Sequence, residues 1–320
     1  MQMRTKQLGK SDLQVSVVAL GTWPMGGSTY GQVDNKESIA TIQAALDAGI
    51  NLIDTAPAYG DGRAETVVGN AIKGRRDQVI IATKVGVVRK PGGKWRDLTP
   101  ASIRQQIEGS LRRLNVDTID LYQIHWPDPD TPIEDSIAEL VKLREEGKFR
   151  YLGVSNFDTG LMDSVTRMTE LASLQPHYSL LNREIEKDIL PYCVKNQIGI
   201  LAYGSLGSGI LAGKYNEKPV FKPGDTRHNF YRFFHEPMWS KAMRLVDVLR
   251  EIASNHGKPV SHIAINWLTQ QEGVTCALVG ARRPSQIQEN AGAGSWTLSD
   301  AELKQINRAW EHIFGGNLDA

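Results

Sequence analysis

The stretch Gly49-Ile-Asn-Leu-Ile-Asp-Thr-Ala-Pro-Ala-Tyr-Gly-Asp-Gly-Arg-Ala-Glu65 contains one complete turn of a repeating pattern. Gly49 stops an amphipathic run, Glu37–Ala48, whose Ile39, Ile42, Ala45 and Leu46 recur at helical spacing. Asn51–Asp54 is a brief apolar run that ends in a carboxylate, and Tyr59 lies in the Pro57–Gly60 turn beyond it. A second helical run, Ala64–Lys73, follows and stops at Gly74. The order is helix, buried strand, loop, helix.

The same alternation extends in both directions. Further strand candidates are Val15–Leu20, Val79–Thr83, Ile119–Ile124, Tyr151–Val154, Ala172–Gln175, Ile198–Tyr203 and Thr275–Val279. Each is short and largely apolar, as strands covered on the outside by helices are. Between them lie Pro100–Leu114, with Thr99 as N-cap and Pro100 at the first helical position, and Ile133–Glu146, closed by Gly147. Less sharply marked helices fall within Gly160–Thr169 and Ile185–Asn196. Eight strands alternating with helices predict an α/β protein, a (β/α)8 TIM barrel. An open doubly wound sheet is the alternative that the pattern leaves. Arg4–Val18 suits an N-terminal β-hairpin beneath the barrel, and the Ser299/Glu302 capping box opens an additional C-terminal helix carrying Leu303, Ile306 and Trp310. Lys214–Pro237 is a long loop of the kind that serves as a lid or stays unstructured. No linker or repeat divides the chain, which reads as a single domain over residues 1–320.

Composition narrows the function classes. The chain has 320 residues, 41% hydrophobic and 23% charged, with a net charge of +1. That balance gives no electrostatic reason to expect nucleic acid or an acidic membrane as partner. Cys193 and Cys276 are far apart in apolar surroundings and read as free thiols of a reducing compartment. The apolar run Val15–Leu20 is too short for a signal peptide or a membrane span, so a cytoplasmic location is expected. No histidine pair has metal-ligand spacing, and no metal is expected.

Chemistry concentrates where strands end, which in a barrel is where active sites are built. Asp54 ends the second strand, with Tyr59 just beyond; Lys84 ends the third and His125 the fourth. A phenol titrates near ~10, and a neighbouring ammonium lowers that value. Lys84 would supply the charge, Asp54 would keep Lys84 protonated, and His125 would donate a hydrogen bond to a carbonyl oxygen. Together these are a proton donor and an oxyanion site, suited to carbonyl reduction if a hydride source lies opposite. Taken singly, Asp54–Lys84 also reads as a structural ion pair, Tyr59 as surface packing and His125 as a core histidine.

The stretch Gly49–Glu65 with Gly69, together with Ala82-Thr-Lys84, Asp120-Leu-Tyr-Gln-Ile-His125 and Gly153-Val-Ser-Asn-Phe157, resembles the aldo-keto reductases, in the style of their bacterial members. The resemblance implies the barrel, NADP(H)-dependent carbonyl reduction and a catalytic tetrad of Asp54, Tyr59, Lys84 and His125. It also implies coenzyme contacts. Tyr203 would stack on the nicotinamide, with Thr22, Trp23 and Asp54 nearby, while Ser155, Asn156 and Gln175 would bond its carboxamide. Gly204, Ser205, Leu206, Gly207 and Lys214 would line the pyrophosphate. Gly280, Arg282, Gln286, Glu289 and Asn290 would hold the adenosine end. The chain itself lacks a Gly-x-Gly-x-x-Gly turn and a Tyr-x-x-x-Lys pair, which removes the Rossmann and short-chain arrangements. Arg282 and Arg283 suit a 2′-phosphate, so NADP(H) is expected over NAD(H).

Trp23, Trp95 and Trp126, with Tyr59 and His125, are the expected substrate pocket. Such a pocket favours aromatic or medium aliphatic aldehydes and offers no fixed cation, unless Arg227 or Arg232 supplies one. The leading expectation is an NADPH-dependent reductase of a small aldehyde, ketone or sugar, acting as a monomer. The alternatives are an aldose or alcohol dehydrogenase running in the oxidative direction, and a coenzyme-sensing partner resembling potassium-channel β subunits.

Overall fold

The computed structural model describes residues 2–27, 31, 33–88, 95–221, 225 and 227–315. A two-stranded antiparallel hairpin, β1 (Thr5–Gln7) and β2 (Gln14–Ser16), comes first. Eight parallel strands then close into a barrel: β3 (Val18–Gly21), β4 (Leu52–Asp54), β5 (Ile80–Val85), β6 (Ile119–Ile124), β7 (Phe149–Ser155), β8 (Ser173–Gln175), β9 (Gly199–Ala202) and β10 (Val274–Gly280). β10 pairs with both β3 and β9, which completes the ring and rules out the open sheet.

The helices are α1 (Asn35–Asp47), α2 (Arg63–Ala71), α3 (Pro100–Leu114), α4 (Ile133–Glu145), α5 (Thr159–Thr166), α6 (Ile189–Asn196), α7 (Arg227–Phe230), α8 (Met238–His256), α9 (Val260–Thr269), α10 (Pro284–Ala291) and α11 (Asp300–Phe314). Each strand candidate becomes a barrel strand, with ends moved by one or a few residues. α7, which lies within the expected Lys214–Pro237 loop, and α8, α9 and α10 are additions to the sequence reading. α9 hides because Ser261–Thr269 are all buried, leaving no polar stripe to reveal a helical period. Thr99 does precede α3, but its hydroxyl bonds Asp97 at 2.7 Å and makes no side-chain cap.

Two cores result. One fills the space between strands and helices. The other lies inside the barrel, where Ala19, Leu52, Ala82, Leu121, Leu201, Cys276 and Leu278 stack above the hairpin's Leu8, Leu13 and Val15. The hairpin therefore plugs the barrel floor, and Lys6 pins it by donating to the Thr269 and Val274 carbonyls at 2.7 Å each. The Ser299/Glu302 capping box is present, and Leu303, Ile306 and Trp310 of α11 pack on the outer core.

The long loop is partly packed. Residues 222–224 and 226, on which the expected lid partly falls, lie outside the described residues. Its described portion buries Tyr231, Phe233 and Phe234 in the outer core. No described helix is long and apolar enough to cross a membrane.

Candidate active site

Strand register explains which side chains meet. Asp54 pairs with Ala82, Lys84 with Gln123, Gln123 with Gly153, and Ser155 with Gln175. Alternate residues of a strand face the same side, so Lys84 lies one inward step above Ala82, and Gln123 one above Leu121. Asp54, Lys84, Gln123 and Gln175 thereby form a buried polar layer on top of the apolar one.

The Lys84 ammonium is the hub. It donates to Asp54 Oδ1 at 2.7 Å and Oδ2 at 2.8 Å, to the Thr55 carbonyl at 3.0 Å and to the Tyr59 hydroxyl at 3.1 Å. Tyr59 reaches this point from a loop pressed against the turn after β3. A Cβ on Gly60, whose φ is +67°, would stand 2.1 Å from the Gly26 carbonyl oxygen, so only glycine permits that approach. The Tyr59 and His125 rings meet edge to face at 5.9 Å. The four residues singled out in the sequence are thus one contiguous group.

Their charge states follow from burial. Burial pulls the Lys84 ammonium below its ordinary value, opposed by the charge and hydrogen bonds of Asp54 and by the charge of buried Glu65. Burial also pushes the Tyr59 phenol well above its ordinary value, reinforced by the Asp54 and Tyr231 charges. This reverses the lowering expected from Lys84 alone, because desolvation and the nearby carboxylate outweigh the ammonium. His125 is driven well below its ordinary value by burial and then by Lys84, so its imidazole is neutral at physiological pH. The resting group is a neutral phenol, a paired lysine and a neutral imidazole.

Glu65 and Gln123 escape the sequence reading. Glu65 accepts from Thr83 Oγ1 at 2.6 Å and from Arg113 Nε at 2.7 Å, directly behind the strand that carries Lys84. Gln123 Nε2 makes a long contact of 3.4 Å to Asp54 Oδ2. Their only sequence signal is a polar residue inside an otherwise apolar or helical run.

The residues expected on the coenzyme side occupy the tops of β7 to β10 and the loops beyond. Gln175 Nε2 donates to Asp54 Oδ2 at 2.8 Å, leaving its side-chain oxygen as the group a carboxamide N–H would meet. Ser155 Oγ donates to the Gln175 carbonyl at 2.7 Å. Asn156 sits at a φ of +59° and holds the His125 carbonyl at 3.1 Å, while the Tyr203 hydroxyl donates to Asn156 Oδ1 at 3.0 Å. Thr22 Oγ1 donates to the Asp54 carbonyl at 2.9 Å, and Trp23 opens the short helix after β3.

Several side chains are already engaged. The Ser205 hydroxyl is turned toward the Ala202 and Leu278 carbonyls, at 2.9 and 3.0 Å. Gln286 Oε1 caps α10 through the Arg282 and Arg283 amides at 2.8 and 3.2 Å. Lys214 and Glu289 form an ion pair at 3.4 Å across the two loop regions. Leu206 and Gly207 lie in the turn that Gly204 begins after β9; Gly280 ends β10, and Asn290 is buried in α10. These residues fit a nicotinamide dinucleotide on the β7–β10 side. They offer a ring platform at Tyr203, an amide acceptor at Gln175 and the half-exposed Arg282 beside a helix N-terminus.

The mouth differs from expectation in its charges. Trp95 is 69% exposed and Trp126 38%, so they form a rim more than a closed wall. Arg227 is held by Asp225 at 2.7 Å, and Arg232 reaches Glu184 at 3.4 Å. Among the described residues, Arg96 brings a cation to the rim: its guanidinium lies 5.3 Å from the Trp126 ring and donates to the Pro127 carbonyl at 3.1 Å. The loop residues 89–94 lie outside the described set.

A model of the aldo/keto reductase family matches residues 17–311. Aldo-keto reductase YhdN of Bacillus subtilis (strain 168) is 43% identical over 313 residues, covering 97% of this chain and 94% of that protein. The NADH-specific methylglyoxal reductase of Escherichia coli (strain K12) is 35% identical over 330 residues, covering 97% of this chain and 99% of that one. Among solved structures, the glycerol dehydrogenase AKR11B4 from Gluconobacter oxydans superposes with a TM-score of 0.90 at 42% identity, covering 100% of this chain and 98% of that one.

Proposed function

The chain belongs to the aldo/keto reductase family, oxidoreductases of carbonyl and CH–OH groups, and from that premise we propose that it reduces small aldehydes and ketones with NADPH, Tyr59 giving the proton. The observation that carries this reading is the buried line from Asp54 through Lys84 to the Tyr59 hydroxyl, with His125 at the phenol's edge. A bound nicotinamide coenzyme supplies the hydride.

The protein's own groups do the rest. His125, neutral, donates an N–H to the carbonyl oxygen and orients it. Tyr59 is fully protonated at rest, so it always has a proton to give. As negative charge builds on the carbonyl oxygen, the phenol proton moves to it. The phenolate left behind faces an ammonium at 3.1 Å. Lys84 therefore acts at the moment of transfer, when a charge appears that was absent in the resting site. Asp54 keeps Lys84 charged and aimed, and its second oxygen fixes Gln175 on the coenzyme side.

Preference for NADPH rests on Arg282 near the α10 N-terminus, since a guanidinium suits a 2′-phosphate. The Escherichia coli relative, NADH-specific by its name, makes the coenzyme a question for titration. The name of the Gluconobacter oxydans neighbour favours a second reading, oxidation of a polyol, because one site catalyses both directions. The Trp126–Arg96 rim supports substrates that combine a short carbon chain with hydroxyl groups, since it offers both an aromatic face and a cation.

The test is a rate screen of NADPH oxidation with aldehydes, ketones and sugars, paired with NADP+ reduction by glycerol and other polyols. Tyr59→Phe should lower turnover by about 10²–10⁴-fold while NADPH affinity stays near wild type. Near-wild-type turnover in that variant would remove Tyr59 as donor.

A further inference from the structure

One aromatic group lies outside the tetrad and outside the expected coenzyme contacts. His177 stacks on Tyr203, ring centroids 5.1 Å apart and planes 13° from parallel. It also meets Tyr231 edge to face, at 5.8 Å and 77°. Asn182 Nδ2 donates to His177 Nδ1 at 2.8 Å, which fixes the imidazole's tautomer and rotation.

The backbone is built for this stack. His177 and Tyr203 form a parallel bridge, Tyr203 N donates to the Pro176 carbonyl at 3.0 Å, and Tyr178 N donates to the Tyr203 carbonyl at 3.1 Å. Gly204 has a φ of +70°, and a Cβ there would lie 2.4 Å from His177 Cδ2. A side chain at 204 would displace the imidazole. The Tyr203 hydroxyl is tied independently to Asn156. The phenol ring is therefore held at its tip by an amide and on one face by an aromatic plate.

We propose that His177 is a positioning residue for the coenzyme: it backs one face of Tyr203 so that the opposite face presents a fixed plane to the nicotinamide. This rests on the coenzyme reading above, in which Tyr203 is the nicotinamide platform. An unsupported tyrosine would have to give up χ freedom each time a coenzyme binds; a ring already clamped gives up little. The imidazole is neutral, held down to about 4 by burial and by Arg232, so the stack keeps one character across physiological pH.

The experiment is NADPH titration by fluorescence quenching on the full chain, for wild type, His177→Ala, His177→Phe, Tyr203→Leu and His177→Ala/Tyr203→Leu. His177→Ala should raise the NADPH Kd roughly two- to tenfold, the strength of an aromatic pair. His177→Phe, which keeps an aromatic plate, should restore most of that. In the Tyr203→Leu background the His177→Ala effect should vanish, an outcome that general destabilisation does not give. An unchanged or lower Kd in His177→Ala, with a raised Kd in Tyr203→Leu, overturns the role of His177 and leaves the platform reading standing. An unchanged Kd in Tyr203→Leu overturns the platform itself, and with it this inference. Should His177→Ala fail to fold, a Kd in His177→Phe raised as far as in Tyr203→Leu also overturns the role.

Discussion

Asp54→Asn is the substitution whose cost the structure specifies most closely. The side chain keeps its size and loses its charge. In the native site the carboxylate takes two hydrogen bonds from Lys84, at 2.7 and 2.8 Å, and one from Gln175 at 2.8 Å. An asparagine turns one of those oxygens into a donor that faces donors. Lys84 would retain Thr55 and Tyr59 as acceptors; what it loses is the carboxylate in contact with a fully buried ammonium. Removing one partner of such a pair costs ~3–5 kcal/mol. Removing both charges is far milder, so Asp54→Asn/Lys84→Met should recover most of the loss although it cannot restore turnover. Urea unfolding followed by tryptophan fluorescence reads the three stabilities. The same variants assayed for NADPH oxidation separate folding from chemistry, because both should be nearly inactive while only one is badly destabilised. An Asp54→Asn cost under about 1 kcal/mol, or a double variant no more stable than the single, would falsify the account of Lys84 as a charge held by Asp54.

Arg282→Ala should raise the NADPH Kd about tenfold or more and leave the NADH Kd nearly unchanged, since only the former carries the 2′-phosphate; equal loss for both coenzymes removes the phosphate role. His177 is held from its ordinary value of 6.5 down to about 4 by burial. The unfolded chain takes up that proton first as pH falls, so the folded state loses up to ~3 kcal/mol between pH 6.5 and 4. His177→Phe lacks that term, so its urea midpoint should fall less steeply over the same window; parallel curves would show that the imidazole is not buried as described. Burial and Lys84 hold His125 well below its ordinary value, so the rate of carbonyl reduction should show no inflection near pH 6.5; one there would mean that the imidazole titrates freely.

What the sequence discloses is tied to periodicity. Each barrel strand is legible as a short, largely apolar run, most with a helical run beside it, but closure needed the pairing of β10 with both β3 and β9. Asp54, Lys84 and His125 stand out because a charge or an imidazole ends an apolar run. Tyr59 stands out because it follows in the same loop. α9 is illegible for the opposite reason: all of Ser261–Thr269 is buried, so nothing marks its outward face. Gln123 and Glu65 need register to be read. Gln123 matters because strand pairing sets it opposite Lys84, and Glu65 because it lies behind Thr83. The direction of the Tyr59 shift also required the structure. The sequence names a lysine beside a tyrosine, but not the depth at which they meet, and depth decides the sign.

That depth gives the site its logic. A phenol pulled down to neutrality by an ammonium would lose its proton to water before a carbonyl arrived. A phenol held up by burial and by Asp54 keeps its proton at rest; in the proposed mechanism the demand that removes it is the charge growing on a carbonyl oxygen. The same carboxylate that discourages ionisation at rest is bonded to the lysine that, on that reading, would stabilise the phenolate. On the proposed reading, Asp54 raises the cost of ionising the phenol at rest and holds in place the ammonium that would face the phenolate during transfer. Its second oxygen is shared by Lys84 at 2.8 Å and Gln175 at 2.8 Å. If Tyr59 is the proton source and Gln175 holds the coenzyme, as proposed, both are registered against that single atom, so a shift of Gln175 would be expected to disturb the ammonium behind Tyr59 as well.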